Sequence, residues 1–264
     1  LASRACKVPG MGEVIEIEGV ARGLVYDERP ARWRVGVIAL ATDHTTERDF
    51  ARMCPSGEVA VYVTRVLNQN PTTVENLRRM KPRLTEAAAL ILPDEPLDAM
   101  AFACTSASVV IGDDAVTAAI QEAKPGVPCI TPPSAACAAF QALGVRRISV
   151  LTPYIREVSE PFVGYFADRG IEVANLSCLG LEDDRMMARI ALDSIVAAAR
   201  EVCDPSAEAL FISCTAVRAA EVAGRIEAEL GKPVVTSNQA MVWRTLRVAG
   251  CDLPVVGHGR LLEL

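Results

Sequence analysis

Two apolar runs, Asp98–Ala103 and Ala209–Ser213, each deliver a cysteine, and those cysteines, Cys104 and Cys214, lie 110 positions apart. Each is followed by small polar or apolar residues and a helix-forming stretch, beginning Thr105-Ser106 in one case and Thr215-Ala216 in the other. Other markers recur at nearly the same interval. Asp43 and Tyr154, each just beyond a first strand, are separated by 111 positions. Gly126-x-Pro128-x-x-Thr131 returns 105 positions later as Gly231-x-Pro233-x-x-Thr236. A chain with this self-similarity is read as two copies of one unit.

Each copy alternates strands and helices. In the first, Arg34–Leu40, Val59–Val66, Asp98–Ala103 and Pro128–Thr131 read as strands by their apolar, β-branched content. Thr42 or Asp43 can cap the helix after the first strand, and Pro82 must interrupt a helical stretch over 73–90. A helix over 115–123 follows, then an alanine-rich one capped by Ser134 and stopped near Gly144. In the second copy the strands are Arg147–Leu151, Ile171–Leu176, Ala209–Ser213 and Pro233–Thr236. Their helices run to Arg169, from Leu181–Asp184 to Val202, from the Cys214 turn to Gly231, and from Asn238 to Ala249.

Strand–helix alternation predicts an α/β fold with parallel sheets. Two pseudo-twofold-related domains would aim their strand carboxyl ends at a shared cleft, where open α/β sheets bind ligands. The expected division is an N-terminal extension over 1–32, an α/β domain over 33–144 completed by 238–264, and a second over 145–237. In the extension, Val14–Glu18 alternates like a half-exposed strand, fit for an edge strand or an arm, or part of a loose segment.

Composition narrows the partners. A net charge of −6 gives no electrostatic reason to bind nucleic acid or an anionic membrane. No apolar run approaches the roughly 18–20 residues of a membrane span. Glu13, Glu16 and Glu18 interrupt any leader-like core, so the expected location is cytoplasmic. The nine cysteines are odd in number with no Cys-x-x-Cys pair, and the two histidines, His44 and His258, form no cluster. Free thiols and no metal are expected. Neither Gly-x-Gly-x-x-Gly nor a Walker loop occurs, which argues against a nucleotide cofactor.

A thiol at a strand end and a helix start meets unpaired N–H groups that favour a thiolate. Two such thiols across a flat carbon centre can pass a proton from one face to the other, or one can add to a double bond while the other protonates. A buried core cysteine is the plain alternative for either one, but the repeated pair points to function. The backbone at Thr105, Ser106, Thr215 and Ala216 could cradle a carboxylate or enolate oxygen. Tyr154 can donate its phenol to a substrate oxygen or simply pack as a turn aromatic. Asp43 and Asp184 fit helix caps or a site, Arg218 a substrate carboxylate or a surface pair, and His44 a polar loop.

The cysteine pair, the repeat and Thr152-Pro153-Tyr154 resemble the Asp/Glu racemase superfamily, and more narrowly its maleate cis–trans isomerase and arylmalonate decarboxylase branch. The resemblance spans roughly 33–264. The stretches Ala39–Phe50 and Ser213–Ala219 are most similar to the branch's ectoine-utilisation proteins. It implies an enzyme without cofactor or metal, with Cys104 and Cys214 matching both cysteines of the isomerases and Tyr154 their carboxylate-binding tyrosine. The decarboxylases carry glycine at the first cysteine position, so Cys104 speaks against simple decarboxylation.

One departure matters. The isomerases' two substrate-binding asparagines fall, by spacing, at Asp43 and Asp184. An amide can donate to a substrate carboxylate, whereas an ionised carboxylate only accepts. Either these aspartates are protonated, or they turn away, or the substrate carries N–H groups. The last needs no unusual acidity and makes an amino-acid-type substrate, on an ectoine-breakdown route, the expected one. The expected activity is a cofactor-independent isomerase or racemase acting beside a carboxylate, from a homo-oligomer. A decarboxylase or lyase, or a non-catalytic small-molecule binding protein, are the alternatives.

Overall fold

The computed structural model describes residues 4–7, 14–17 and 23–264. The chain divides into two compact units, Leu1–Pro30 and Ala31–Leu264. In the first, β1 (Arg4–Lys7) and β2 (Val14–Ile17) pair antiparallel, with Arg4 opposite Ile17. The alternating stretch read from Val14 is thus a strand. Glu13, Glu18, Gly10, Gly12 and Gly19 lie outside the described residues, as does any role of this segment as an arm.

The second unit opens with β3 (Trp33–Leu40), α1 (Thr46–Met53) and β4 (Val59–Val66). Next come the short helices α2 (Val74–Arg78) and α3 (Leu84–Ala89), parted by a 3-10 turn containing Pro82. Then follow β5 (Ala99–Phe102), α4 (Thr105–Ile111), α5 (Asp113–Ala123), β6 (Cys129–Ile130) and α6 (Pro132–Leu143). The pattern restarts with β7 (Arg147–Tyr154), α7 (Arg156–Ser159), α8 (Pro161–Ala167) and β8 (Glu172–Leu181). It closes with α9 (Asp184–Met187), α10 (Leu192–Val202), β9 (Ala209–Ile212), α11 (Ala223–Leu230), β10 (Val234–Thr236) and α12 (Ser237–Val248).

The repeat is visible in the sheets. One has the order β4-β3-β5-β6 and the other β8-β7-β9-β10, and every pairing in both is parallel. Corresponding strands take corresponding places, which is what a duplicated α/β unit requires. The central strands are apolar and buried, as strands covered on both faces must be: all eight residues of β3 are buried.

The recurring Gly-x-Pro-x-x-Thr motif has a physical purpose. Gly126 and Gly231 hold φ of 73° and 68°, a left-handed turn that costs an L side chain but not glycine. Five residues on, Thr131 and Thr236 cap α6 and α12 through capping boxes completed by Ser134 and Gln239. The cap of α6 is therefore Thr131, not Ser134, whose hydroxyl instead reaches back to the Thr131 N–H.

Helices α6 and α12 pack against each other and trade partners. From α12, contacts run to β5, β6 and α1 of the first sheet's half. From α6, buried Phe140 meets Phe166 of α8 and Phe211 of β9, edge to face at 6.1 Å each. The expected boundary at residue 144 thus assigns α6 to one half while its aromatic side chain fills the core of the other. Such pairs add about 0.5–1.5 kcal/mol each beyond area burial.

Three helix expectations need correction. The stretch 181–202 is two helices, because β8 continues to Leu181 alongside β7 and α9 ends before a new start at Leu192. The helix expected through Arg169 is broken at Pro161, whose missing N–H restarts it as α8. No helix starts at Cys214: a turn and a 3-10 segment (Arg218–Glu221) precede α11 at Ala223. No helix among the described residues is long and apolar enough to cross a membrane.

Candidate active site

The carboxyl ends of both sheets line one cavity. From the first half come Asp43 beyond β3, Asn68 and Gln69 beyond β4, and Cys104, Thr105 and Ser106 beyond β5. From the second come Tyr154 at the end of β7, Asp184 beyond β8, and Cys214, Thr215 and Ala216 beyond β9. All nine site residues expected from sequence border this one space. Their symmetry follows from the matching strand orders.

The two cysteines are held differently. Cys104 has ordinary extended backbone and occupies the cap position of α4. The N–H groups of Thr105 and Ser106 sit in that helix's first turn and have no intrahelical acceptor. The Ser106 hydroxyl lies 3.9 Å from the Cys104 sulfur. Cys214 instead adopts φ of +89°, a left-handed conformation in which a side chain costs of order 1 kcal/mol or more. Its sulfur meets the Tyr154 hydroxyl, the N–H groups of Ala216 and Val217, and the Met187 sulfur at 3.9 Å.

The strained turn is fixed by bonds from the other half. Thr45 Oγ1 donates to the Ala216 carbonyl at 2.8 Å, and Thr215 Oγ1 to the Ala103 carbonyl at 3.0 Å. Asn238 Nδ2 donates both to the Thr215 carbonyl at 2.9 Å and to Asp49 Oδ2 at 2.6 Å. The side chains of Thr45, Thr215 and Asn238 are thereby committed to holding Cys214 in place.

Neither thiol is the depressed one that a strand-to-helix junction suggests. Burial pushes Cys104 up to about 12, its own backbone contact with the Ala107 N–H opposing only in part. Burial likewise lifts Cys214 to about 11, against the Tyr154 hydroxyl and two backbone donors. Burial raises Tyr154 as well, with the two neighbouring sulfurs adding to it. The resting site therefore holds two neutral thiols and a neutral phenol, and desolvation outweighs the helix end. Among the described residues no lysine, arginine or histidine borders the cavity to offset that.

The aspartates are both engaged by protein groups. Asp43 accepts from the N–H groups of Thr45 and Thr46 and from the Thr46 hydroxyl, at 2.7–2.8 Å. It anchors the start of α1, and burial still raises its pKa. Asp184 gathers Asn68, Asn70 and Thr42 from the first half, so it closes one side of the cavity across the cleft. The cap of α9 is its neighbour Asp183, which accepts from the Arg185 N–H.

Sequence reasoning missed this wall. Asn68, Gln69, Thr72 and Asn76 supply polar lining, and Leu40, Leu77, Met80 and Met187 an apolar side. The signal was present: Asn68-Gln-Asn70-Pro-Thr72 is a polar run at the end of a parallel strand, where such sheets bind ligands. Two other candidates lie away from the cavity. Arg218 turns its guanidinium to the Ile190 carbonyl at 3.0 Å, and His44 is exposed. The cysteines from Cys54 to Cys251 are all free thiols, and no metal-binding cluster occurs among the described residues.

Asp49 gives the region a pH signature. Burial raises its carboxyl from 3.8 to about 6, despite the bond from Asn238. The folded state thus holds a proton that the unfolded state has lost between pH 4 and 6, so stability falls as pH rises through that window. The full difference is roughly 3 kcal/mol at most. Urea unfolding at pH 4 and pH 7 should show Asp49→Asn losing less stability over this interval than the wild type. An identical loss in both proteins would place the titration elsewhere.

Comparison with known proteins gives a consistent placement. A family model described as arylmalonate decarboxylase matches residues 72–262. The arylmalonate decarboxylase of Bordetella bronchiseptica is 31% identical over 152 residues, 56% of this chain and 63% of that protein, so the match spans less than two thirds of its length. The maleate isomerase of Nocardia farcinica is 26% identical over 241 residues, 87% of this chain and 95% of that one. A solved N. farcinica maleate cis-trans isomerase mutant, with a cysteine changed to serine and a covalently bound succinylcysteine intermediate, has the same fold. It superposes with a TM-score of 0.79 at 24% identity, covering 88% of this chain and 98% of that one. With the family match covering most of the chain, including the whole second sheet and both cysteine turns, the chain belongs to the arylmalonate decarboxylase family.

Proposed function

We propose that this protein is a cofactor-independent isomerase or racemase that works at a carbon next to a carboxylate, using Cys104 and Cys214 as its two acid–base groups. The observation that carries this reading is the placement of both thiols, from equivalent strand ends of the two halves, on one cavity with Tyr154. The neutral donors suit a carboxylate: the phenol of Tyr154, the Ser106 hydroxyl, and the free N–H groups at the start of α4. One thiol first gives up its proton to solvent, and as its thiolate takes a proton from the reacting carbon those donors stabilise the charge that spreads onto the carboxylate oxygens. The other sulfur returns a proton from the opposite face, which inverts the centre. On an unsaturated substrate the same pair can act by addition and elimination, the bond to sulfur forming and then breaking.

The weak acidity of both resting thiols bears on the substrate. A dianion entering a cavity without a cation would raise both thiols further, whereas an ammonium or N–H group beside them lowers the cost of the thiolate. This favours an amino-acid-type substrate, in keeping with the resemblance of Ala39–Phe50 and Ser213–Ala219 to ectoine-utilisation proteins. Asp43 then shapes the cavity without touching substrate, its carboxylate being spent on α1.

A second reading, decarboxylation with Cys214 as the proton donor, draws support from the apolar side formed by Leu40, Leu77, Met80 and Met187. One experiment separates the two. Amino acids, their N-acyl derivatives and dicarboxylates are incubated with the protein in D₂O and followed by proton NMR. Isomerase or racemase activity gives deuterium at the carbon beside the carboxylate with no loss of carbon dioxide. Release of carbon dioxide from a malonate-type substrate, without exchange into any monoacid, would establish the second reading instead.

A further inference from the structure

The hydrogen bonds around Asp184 can be accounted for proton by proton. Thr42 Oγ1 gives its single proton to Asp184 Oδ2. Asn68 Nδ2 has two, directed to Asp184 Oδ2 at 3.1 Å and to Thr42 Oγ1 at 2.9 Å. Asn70 Nδ2 donates to Asp184 Oδ1 at 2.7 Å. Because a carboxylate accepts, the NH₂ ends of both asparagines face it. The Thr42 proton being committed, the 3.2 Å approach of Thr42 Oγ1 to Asn68 Oδ1 carries no hydrogen. Asn68 lines the cavity, and its carbonyl oxygen, with its NH₂ turned to Asp184, receives no proton from Thr42.

We infer that Asp184 sets substrate choice by turning the Asn68 amide so that this wall of the cavity accepts hydrogen bonds, which selects a carboxylate that also bears an ammonium or N–H group. The inference rests on the reading of the cavity as the substrate site. Asp184 acts here through Asn68 and is a positioning residue, with its own negative charge adding to the selection. A second substrate carboxylate placed against this wall would meet an acceptor oxygen and a like charge, with no lysine, arginine or histidine among the described residues of the cavity to offset them. The donors lie elsewhere, at Tyr154 and the first turn of α4, so the site has a carboxylate end and an N–H end.

The test is equilibrium binding to the full chain, by calorimetry, of two probes of similar length: 4-aminobutanoate and succinate. The wild type should bind 4-aminobutanoate about tenfold or more tighter than succinate, a modest demand for a site that leaves a buried polar group unpaired with the wrong ligand. Asp184→Asn frees the Asn68 amide to turn and can itself donate, so the preference should shrink to near unity or reverse. Asn68→Ala, which removes the acceptor, should weaken 4-aminobutanoate without improving succinate. Thermal melts establish that each variant is folded, and either variant suffices for the comparison. Equal or better binding of succinate by the wild type, no binding of either probe, or a ratio unmoved by both substitutions overturns the inference. Turnover plays no part in these measurements. If deuterium exchange fails while the binding ratio behaves as stated, the selectivity stands and the two-thiol chemistry falls.

Discussion

Replacing either Cys104 or Cys214 by alanine lowers deuterium exchange into substrate by about a thousandfold or more, and replacing both lowers it little further. Exchange at one face followed by protonation at the other is a relay, so the loss of either member stops it. This non-additivity distinguishes paired chemistry from two thiols that each pack a wall. Packing alone predicts small losses that add, with the effect visible in unfolding rather than in rate. Serine variants sharpen the point, because they retain size and a hydroxyl but lose the more acidic sulfur. Should Cys104→Ala and Cys214→Ala both keep wild-type exchange, the proposed function is wrong.

Asn238→Ala lowers kcat by about ten- to a hundredfold with little change in KM, and lowers stability by about 2–3 kcal/mol. The two losses have different origins. Stability falls because the Asp49 carboxylate, 2% exposed, loses its bond from Asn238 Nδ2 and is left buried. Rate falls because the Thr215 carbonyl loses its tie and the strained backbone at Cys214 relaxes. Removing Asp49 as well takes away the orphaned charge, so Asn238→Ala combined with Asp49→Ala should regain stability in urea. It should not regain kcat. Recovery of both together would mean that Asn238 matters only to folding.

Much of the fold was legible because it is written twice. A single strand–turn–helix with a cysteine is weak evidence, whereas Cys104 and Cys214 with Gly126 and Gly231 in step announce a duplicated parallel α/β unit and the meeting of its strand ends. The cavity residues at the ends of β3, β5, β7 and β9 followed from that. What stayed hidden depends on contacts that sequence does not announce. The helix expected at Cys214 yields to a turn because Thr45, Asn238 and the Thr215 hydroxyl, from distant positions, hold another backbone path. The asparagine wall was missed because the run at 68–72 reads as a loop until Asp184, over 100 residues later, is seen to organise it. The acidity of the thiols was misjudged for a simpler reason. A helix end is local and visible in sequence, while full burial is a property of the assembled halves.

The exchange of α6 and α12 bears on how the two halves can exist. A fragment ending at Gly144 would carry Phe140 on a helix with no core to enter, and the remaining fragment would leave Phe166 and Phe211 uncovered. Each piece holds the lid of the other. Chain cleavage between Gly144 and Val145 should therefore leave two segments that gain order only by finding one another, and the peptide link supplies proximity rather than structure. Seen that way, the duplicated unit is an obligate pair whose two members share a polypeptide, and the reaction site is the seam along which they were joined.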